Sequence, residues 1–187
     1  MSDEIYVQIY HELYDDYYHK YRIYIDKDID DPDKYRELFN KLESETKSET
    51  IFQFIINTYG GNLNTTIQLI DYIKNTKAQT EAVIYQAISA GSLVALSCNK
   101  INPRPNAVMM IHNLQHWNSK QQDINKHKWV VDFYVKVIER LFHDIYKGFL
   151  SDEEISKVIN EGYEFWMFRE EIIKRAKKAG LDVISDE

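Results

Sequence analysis

The fold class of this chain is decided by the stretch Ile51-Phe-Gln-Phe-Ile-Ile-Asn-Thr-Tyr-Gly-Gly-Asn62. Its first six residues form a nearly continuous apolar run of strand length, which is typical of a strand covered on both faces. The six residues that follow are strong turn formers. After them, apolar residues recur at helical spacing: Leu63, Ile67, Ile70 and Ile73. A buried strand, a turn and a helix in this order predict a βαβ unit.

The alternation of strands and helices continues on both sides of this unit. The predicted elements are, in chain order, a strand over 22–26, a helix over 32–48, the strand over 51–56 with its helix, a buried strand over 82–85, a small-residue helix over 89–96, a strand over 107–111, one long helix from about 121 to 149, two further helices, and a short strand near 182–184. We therefore expect an α/β domain with a mostly parallel sheet. Reactive groups in such sheets gather where strands end and helices begin.

Composition argues against several functional classes. The chain has 187 residues, which suits one domain. Its net charge of −7 argues against binding to a nucleic-acid backbone. The single cysteine, Cys98, excludes an internal disulfide framework and a multi-cysteine metal site. The opening lacks the apolar core of a signal peptide, and no apolar run is long enough to cross a membrane. A soluble, cytoplasmic protein is the default expectation.

The acidity is concentrated at the start of the chain. Residues 1–50 contain 14 acidic and 7 basic side chains, whereas the remaining residues carry 16 of each sign. Seven of the 14 tyrosines also lie within the first 24 residues. We therefore expect a divergent, acidic and tyrosine-rich N-terminal segment over residues 1–21, followed by one domain over residues 22–187.

Three features at the ends of predicted strands are candidates for chemistry: the Gly60-Gly61 turn, Ser89 and His112. A serine between a strand and a helix lies beside the free N–H groups of the helix's first turn. A histidine nearby can accept the serine proton. Taken singly, each feature also has a plainer interpretation. The glycines could form a tight turn, Ser89 could cap a helix, and His112 could be a buried histidine bonded to a backbone carbonyl.

Taken together, these features resemble a known family. Three stretches are similar, in order and spacing, to the glycine-pair turn, nucleophile motif and histidine strand of the ClpP family of self-compartmentalised serine proteases: Asn57-Thr-Tyr-Gly-Gly-Asn62, Ala87-Ile-Ser-Ala-Gly91 and Met110-Ile-His-Asn113. The resemblance runs from about residue 22 to residue 184. It implies a ClpP/crotonase-like α/β fold, with stacked, mostly parallel strands, flanking helices and a protruding long handle helix over about 120–149.

The resemblance also implies a role for individual residues. Ser89 would be the nucleophile and His112 the general base. The backbone N–H groups of Gly61 and Ala90 would form the oxyanion hole.

The third member of the triad departs from the family pattern. The family usually has an aspartate in a pattern such as Asp-x-Phe-Met-Ser-Ala, and the matching stretch here is Glu164-Phe-Trp-Met-Phe-Arg169. Glu164 therefore falls at the acid position, where a carboxylate would fix the imidazole tautomer. Glu161 is the nearest substitute.

The implied function is that of a serine endopeptidase acting on unfolded or extended polypeptides. The implied assembly is a homo-oligomeric ring or two stacked rings, without a cofactor or a metal ion. An ATP-dependent unfoldase is a partner in the family, although no residue of this chain points to one. The small residue after Ser89 and the acid-x-Trp pattern of Glu164-Phe-Trp166 favour the phage branch, whose members are often head-maturation proteases. In that case the protein would act in the host cytoplasm.

Several alternatives stay open. The glutamate at the acid position also suits a catalytically silent ring subunit. Acyl-CoA chemistry on the crotonase fold is less favoured, because that fold does not need Ser89 and His112. A serine–lysine dyad would use one of two lysines, Lys126 or Lys128. A metal site on His112, His116 and His127 is disfavoured, since the sequence lacks a His-Glu-x-x-His pattern and an assisting cysteine.

Overall fold

The computed structural model of the chain describes residues 7–13, 19–113 and 124–184, with the backbone alone for residues 124–131. The strands are β1 (Gln8–Leu13), β2 (His19–Ile25), β3 (Ile51–Thr58), β4 (Gln79–Ile88), β5 (Lys100–Ile111), β6 (Phe165–Phe168) and β7 (Asp182–Val183). The helices are α1 (Arg36–Ser44), which follows a 3₁₀ turn over Pro32–Tyr35, then α2 (Leu63–Asn75), α3 (Ala90–Ser97), α4 (Ile124–Tyr146), α5 (Asp152–Glu161) and α6 (Arg169–Lys178).

The strands form one sheet whose centre is parallel. Its order is β1-β2-β3-β4-β5-β6, and β7 pairs with β5. Strands β2 to β5 run parallel to one another, whereas β1 runs antiparallel to β2 and β6 runs antiparallel to β5. The predicted α/β class with a mostly parallel sheet is confirmed. Strand β3 and the centre of β4 are largely covered on both faces, which accounts for their apolar runs in the sequence, and β4 extends beyond the predicted range of 82–85 at both ends.

The fifth strand is longer than predicted. The sequence pattern indicates a strand over 107–111, but β5 starts at Lys100 and includes Pro103 and Pro105. Its register against β4 jumps from Ile84 opposite Pro103 to Gln86 opposite Val108. Prolines are tolerated in a strand at such an irregularity, where the ladder of hydrogen bonds is interrupted.

Two strands were not predicted at all, and each is antiparallel at the edge of the sheet. Strand β1 forms a hairpin with β2 in the tyrosine-rich opening. The predicted boundary between residues 21 and 22 lies inside β2. The division of the chain into an N-terminal segment and a domain stays a prediction. Strand β6 has four residues, all of them apolar, and so short an apolar run cannot be assigned to a strand or a helix from periodicity.

The long helix ends earlier than predicted. The structure gives α4 as Ile124–Tyr146, and Phe149 is buried beyond its end. Gly148 lies between them with a φ of 87°, a conformation that ends helices. The side chains of Asp132, Phe133, Val135 and Lys136 are exposed, whereas Phe142, Ile145 and Tyr146 pack into the core. None of the helices in the described ranges is long and apolar enough to cross a membrane.

Candidate active site

Ser89 occupies a sharp turn between β4 and α3. Strand β4 ends at Ile88 and α3 begins at Ala90, so one residue makes the whole connection. Its φ of 54° and ψ of −120° make it the one non-glycine residue with positive φ in the described part of the chain. A side chain in this region is strained, and such strain persists only where the surroundings impose it. Here the N–H of Ser89 donates to the carbonyl of Met110 at 2.9 Å, which ties the turn to β5.

The hydroxyl of Ser89 faces His112 and does not cap the helix. No side-chain capping bond is made at the start of α3. Instead, the Nε2 atom of His112 lies 2.8 Å from the Oγ atom of Ser89, although the two residues are 23 positions apart. The register of β4 and β5 explains the contact, because Ile88 pairs with Met110 and both strands end at the same edge. A neutral imidazole at this distance can take the serine proton.

The glycine pair packs directly against this turn. Gly60 has a φ of 107°, and a Cβ atom on it would lie 2.9 Å from the Cβ of Ser89 and 3.0 Å from the N of Ala90. Gly61 has a φ of 140°, and its Cβ would lie 2.1 Å from the carbonyl oxygen of Ile29. A larger residue at either position would push one backbone segment off the other.

Ile29 also fixes the glycine turn through its backbone. Its N–H donates to the carbonyl of Gly60 at 2.6 Å, and its carbonyl accepts from the N–H of Asn62 at 2.7 Å. Asn62 then caps α2, because its side chain accepts from the N–H groups of Asn64 and Thr65. The turn is therefore held rigidly beside Ser89. Ala90 opens α3, so its N–H has no partner within the helix and is free to face a ligand.

Glu164 lies at the end of the paired strands β5 and β6 near His112, but its carboxylate binds another residue. The pairing of β5 and β6 ends with Ile111 and Phe165, and His112 and Glu164 are the residues just beyond this last pair. The side chain of Glu164 is exposed, and its Oε2 atom accepts a hydrogen bond from the indole Nε1 of Trp166 at 3.1 Å. No hydrogen bond joins Glu164 to His112 within the part of the chain that the structure describes.

The other candidates from the sequence do not join this group. Glu161 is exposed at the end of α5. The described residues contain no cluster of three or more His, Cys, Asp and Glu side chains that could hold a metal ion. His116 lies outside the described residues, and the side chains of three others lie outside them as well: Lys126, His127 and Lys128.

Cys98 is unsuited to be an alternative nucleophile. It is free and buried at the end of α3, and its Sγ atom lies 3.6 Å from the carbonyl oxygen of Val94. Burial raises the pKa of its thiol well above the usual range. Because the thiolate is the reactive form, this cysteine is a packing residue.

Trp166 binds Glu164 through its indole, and this contact was not predicted from the sequence. Residues two apart in a strand lie on the same face, so an acid-x-Trp pattern in a strand brings the indole beside the carboxylate. The signal was missed because β6 itself was not predicted. Without a strand, the spacing of Glu164 and Trp166 has no geometric meaning.

Comparison with known proteins adds a family to this geometry. A family model described as Clp protease matches residues 3–177, a range that includes the glycine turn, Ser89, His112 and Glu164. A search of curated proteins gave no match to the chain.

Proposed function

Because the chain belongs to the Clp protease family and has a ClpP-like fold, we propose that it is a serine endopeptidase acting on unfolded or extended polypeptides. The predicted resemblance to that family is thereby confirmed. The observation that carries the proposal is the 2.8 Å contact between the Oγ of Ser89 and the Nε2 of His112 at the edge of the sheet. Nucleophile and base within hydrogen-bond distance are the core of serine acyl transfer.

In the proposed reaction, His112 acts as the base and then as the acid. Its Nε2 takes the proton from Ser89 as the Oγ atom attacks the peptide carbonyl. The imidazolium then gives this proton to the departing amine, which leaves an ester on Ser89. A water molecule, deprotonated by His112, attacks the ester and releases the carboxyl product with the serine proton restored.

The oxyanion formed in both halves of the reaction needs donors that are already in place. We assign the backbone N–H groups of Gly61 and Ala90 to this task. The support is that Gly60 brings its turn against the first residue of α3 with room for no side chain between them. Removing one donor from such a pair costs about 10²–10³-fold in kcat in a well-studied serine protease.

Glu164 is the proposed third member of the triad. The support is that Glu164 and His112 are the residues just beyond the last pair of β5 and β6, so a rotation of the Glu164 side chain would bring the carboxylate toward the imidazole. There it would stabilise the imidazolium, as the buried acid of a serine protease triad does.

The proposed assembly is a homo-oligomeric ring, alone or as two stacked rings. Exposed apolar side chains support it: Phe133 and Val135 on α4, and Trp166 and Phe168 on β6. Large apolar side chains exposed to solvent on two elements are consistent with contacts to another chain. An unfoldase partner and the phage-type affinity rest on the sequence resemblance alone, a cytoplasmic location rests on composition, and all three stay predictions.

One observation favours a second candidate, a catalytically silent ring subunit. The carboxylate of Glu164 is bound to Trp166 and not to His112. A ring subunit without a working acid would keep the fold and the oligomer contacts but hydrolyse little substrate.

Labelling with a fluorophosphonate separates the two candidates. The wild-type chain should carry one label on Ser89 and cleave an unfolded protein substrate, and Ser89→Ala should lose both. Ser44→Ala is the matched control, because Ser44 is an exposed serine on α1 away from the site. Label and cleavage surviving in Ser89→Ala would refute the peptidase assignment of this residue. A native assembly that neither reacts nor cleaves would favour the silent subunit.

A further inference from the structure

Two buried hydroxyl groups lie in line behind Ser89. The Oγ atom of Ser92 lies 2.6 Å from the carbonyl oxygen of Ser89. The hydroxyl of Tyr146, the last residue of α4, lies 2.8 Å from the same Oγ atom. Ser92 is 0% and Tyr146 1% exposed, so water does not compete for these bonds. The chain of hydroxyls thus joins the end of the long helix to the turn that holds the nucleophile.

The direction of the protons in this chain follows from the groups present. A carbonyl oxygen only accepts, so the single hydroxyl proton of Ser92 points to Ser89. Tyr146 must then donate its own proton to Ser92. Burial raises the pKa of the Tyr146 phenol well above its usual range, which keeps this proton in place.

The carbonyl of Ser89 belongs to the same peptide group as the N–H of Ala90, one of the two proposed oxyanion donors, and points in the opposite direction. The C=O of Ser89 and the N–H of Ala90 are the two ends of one planar peptide group. Fixing the direction of the carbonyl therefore fixes the direction of the N–H. The carbonyl of Ser89 accepts from both the N–H of Ser92 at 2.9 Å and its hydroxyl at 2.6 Å.

This restraint acts on a strained segment. Ser89 has a φ of 54° and a ψ of −120°, and rotation of the peptide that follows it would change ψ toward the ordinary left-handed region and relieve part of the strain. Such a rotation would also turn the N–H of Ala90 away from the substrate. Two hydrogen bonds on the carbonyl oppose the rotation, and the hydroxyl bond is the one that depends on side chains.

We propose that Ser92 and Tyr146 are positioning residues that hold the Ser89–Ala90 peptide in the orientation needed for the oxyanion hole. The inference rests on the proposed peptidase function, since it assigns the N–H of Ala90 to the oxyanion. Tyr146 acts only through Ser92. Because Tyr146 ends α4, a shift of that helix would loosen the oxyanion hole without touching Ser89 or His112.

The test compares Ser92→Ala, Tyr146→Phe and the double variant with the wild-type chain. We expect Ser92→Ala to lower kcat about 10- to 100-fold and Tyr146→Phe about 3- to 10-fold, below the full loss of an oxyanion donor. KM should stay within about twofold, because the affected bond matters most in the transition state. The double variant should equal Ser92→Ala, since the two residues act in series.

Ser97→Ala is the matched control. Ser97 lies on the same helix, is also buried, and makes the same kind of bond, from its hydroxyl to the carbonyl of Leu93 at 2.6 Å. It should lower thermal stability about as much as Ser92→Ala but leave kcat unchanged. Tyr146→Phe keeps the ring in the core, so it tests the idea even if Ser92→Ala folds poorly.

Three results would overturn the inference: kcat values for Ser92→Ala and Tyr146→Phe that match Ser97→Ala, losses that appear in KM alone, or losses that add in the double variant. Ser89→Ala, measured in parallel, separates this failure from a wrong function. An inactive Ser89→Ala beside fully active Ser92→Ala and Tyr146→Phe would reject only the positioning role. A fully active Ser89→Ala would reject the peptidase mechanism itself.

Discussion

Glu164 stands opposite His112 in the continued register of β5 and β6, yet its carboxylate accepts a hydrogen bond from the indole of Trp166. Residues directly opposite on antiparallel strands have Cβ atoms about 4.5–5.5 Å apart in regular sheets. Continuation of the pairing of Ile111 with Phe165 by one residue would place the acid within reach of the imidazole, and the side-chain torsions of Glu164 would decide whether they meet. This arrangement makes the acid a testable member of the site.

Glu164→Gln should lower kcat/KM about 10- to 100-fold, because an amide cannot stabilise the imidazolium as a carboxylate does. We expect a smaller loss than for a fully buried triad acid, since Glu164 is exposed. Steady-state hydrolysis of a peptide substrate measures the effect. Glu161→Gln is the control, at the exposed end of α5, and should leave the rate unchanged. The opposite ranking of the two variants would transfer the role of the acid to Glu161.

Ser89→Gly should give a more stable protein than Ser89→Ala, although both lose activity. The φ of 54° at this position is costly for any side chain and free for glycine. We expect a difference of about 1 kcal/mol in the free energy of unfolding, measured with denaturant.

Ser97 supplies the reverse comparison, because it is the last residue of α3 and its φ is not positive. There the glycine variant should be the less stable of the pair by up to about 1 kcal/mol, since glycine disfavours helix. If alanine were the more stable substitution at both positions, the strain at Ser89 would not contribute to stability.

Gly60→Ala should lower kcat/KM about 100-fold or more, since the added methyl group would displace the donors beside the reacting carbonyl. A Cβ atom there meets the Cβ of Ser89 at 2.9 Å and the N of Ala90 at 3.0 Å. Gly162→Ala is the control, with a positive φ of 69° and no atom within 4 Å of the added carbon. It should cost about 1 kcal/mol of stability and no activity. Equal activity in both variants would place the glycine turn away from the chemistry.

The buried strands and the residues at their ends are the features that the sequence predicts best. The apolar run of β3 is followed by turn residues, and the apolar centre of β4 is followed by a small-residue helix. The positions of Gly60 and Ser89 at the ends of these strands therefore follow from the sequence pattern. The edge strand β6 does not, because it has four residues and pairs only with β5. The relation between Glu164 and His112 depends on that pairing. No local pattern carries it, and it came from the resemblance alone.

The hydrogen bond between Ser92 and Tyr146 is a second feature that could not be predicted from the sequence. The residues are 54 positions apart, and each looks ordinary in its own helix. A small serine in α3 indicates close packing, and a tyrosine at the end of α4 indicates a core aromatic. Only the packing of α4 against α3 brings their hydroxyls together. Contacts of this kind are set by the tertiary arrangement, which periodicity does not encode.

The ion pair that joins α5 to α6 should make stability depend on acid. Arg175 binds both oxygens of Glu154, at 2.8 Å each, and also contacts Glu171 at 2.7 Å. The guanidinium lowers the pKa of Glu154 from 4.5 to about 2. A carboxyl whose pKa is lower in the folded state stabilises the fold above its unfolded pKa, and this contribution is lost as the pH falls through the folded value.

Glu154→Gln should therefore destabilise the protein by about 1–2 kcal/mol at pH 7, less than the size of the pKa change implies, because the ion pair is partly exposed and solvent screens it. The difference from the wild-type chain should shrink as the pH falls from about 4.5 and vanish near about 2. Denaturant unfolding across this range measures it. Glu153→Gln is the control, since Glu153 is exposed and pairs only with Lys157 across one helical turn, and such pairs contribute little. A Glu154→Gln penalty that stays constant from pH 7 to pH 2 would show that the side chain acts by packing and not by its charge.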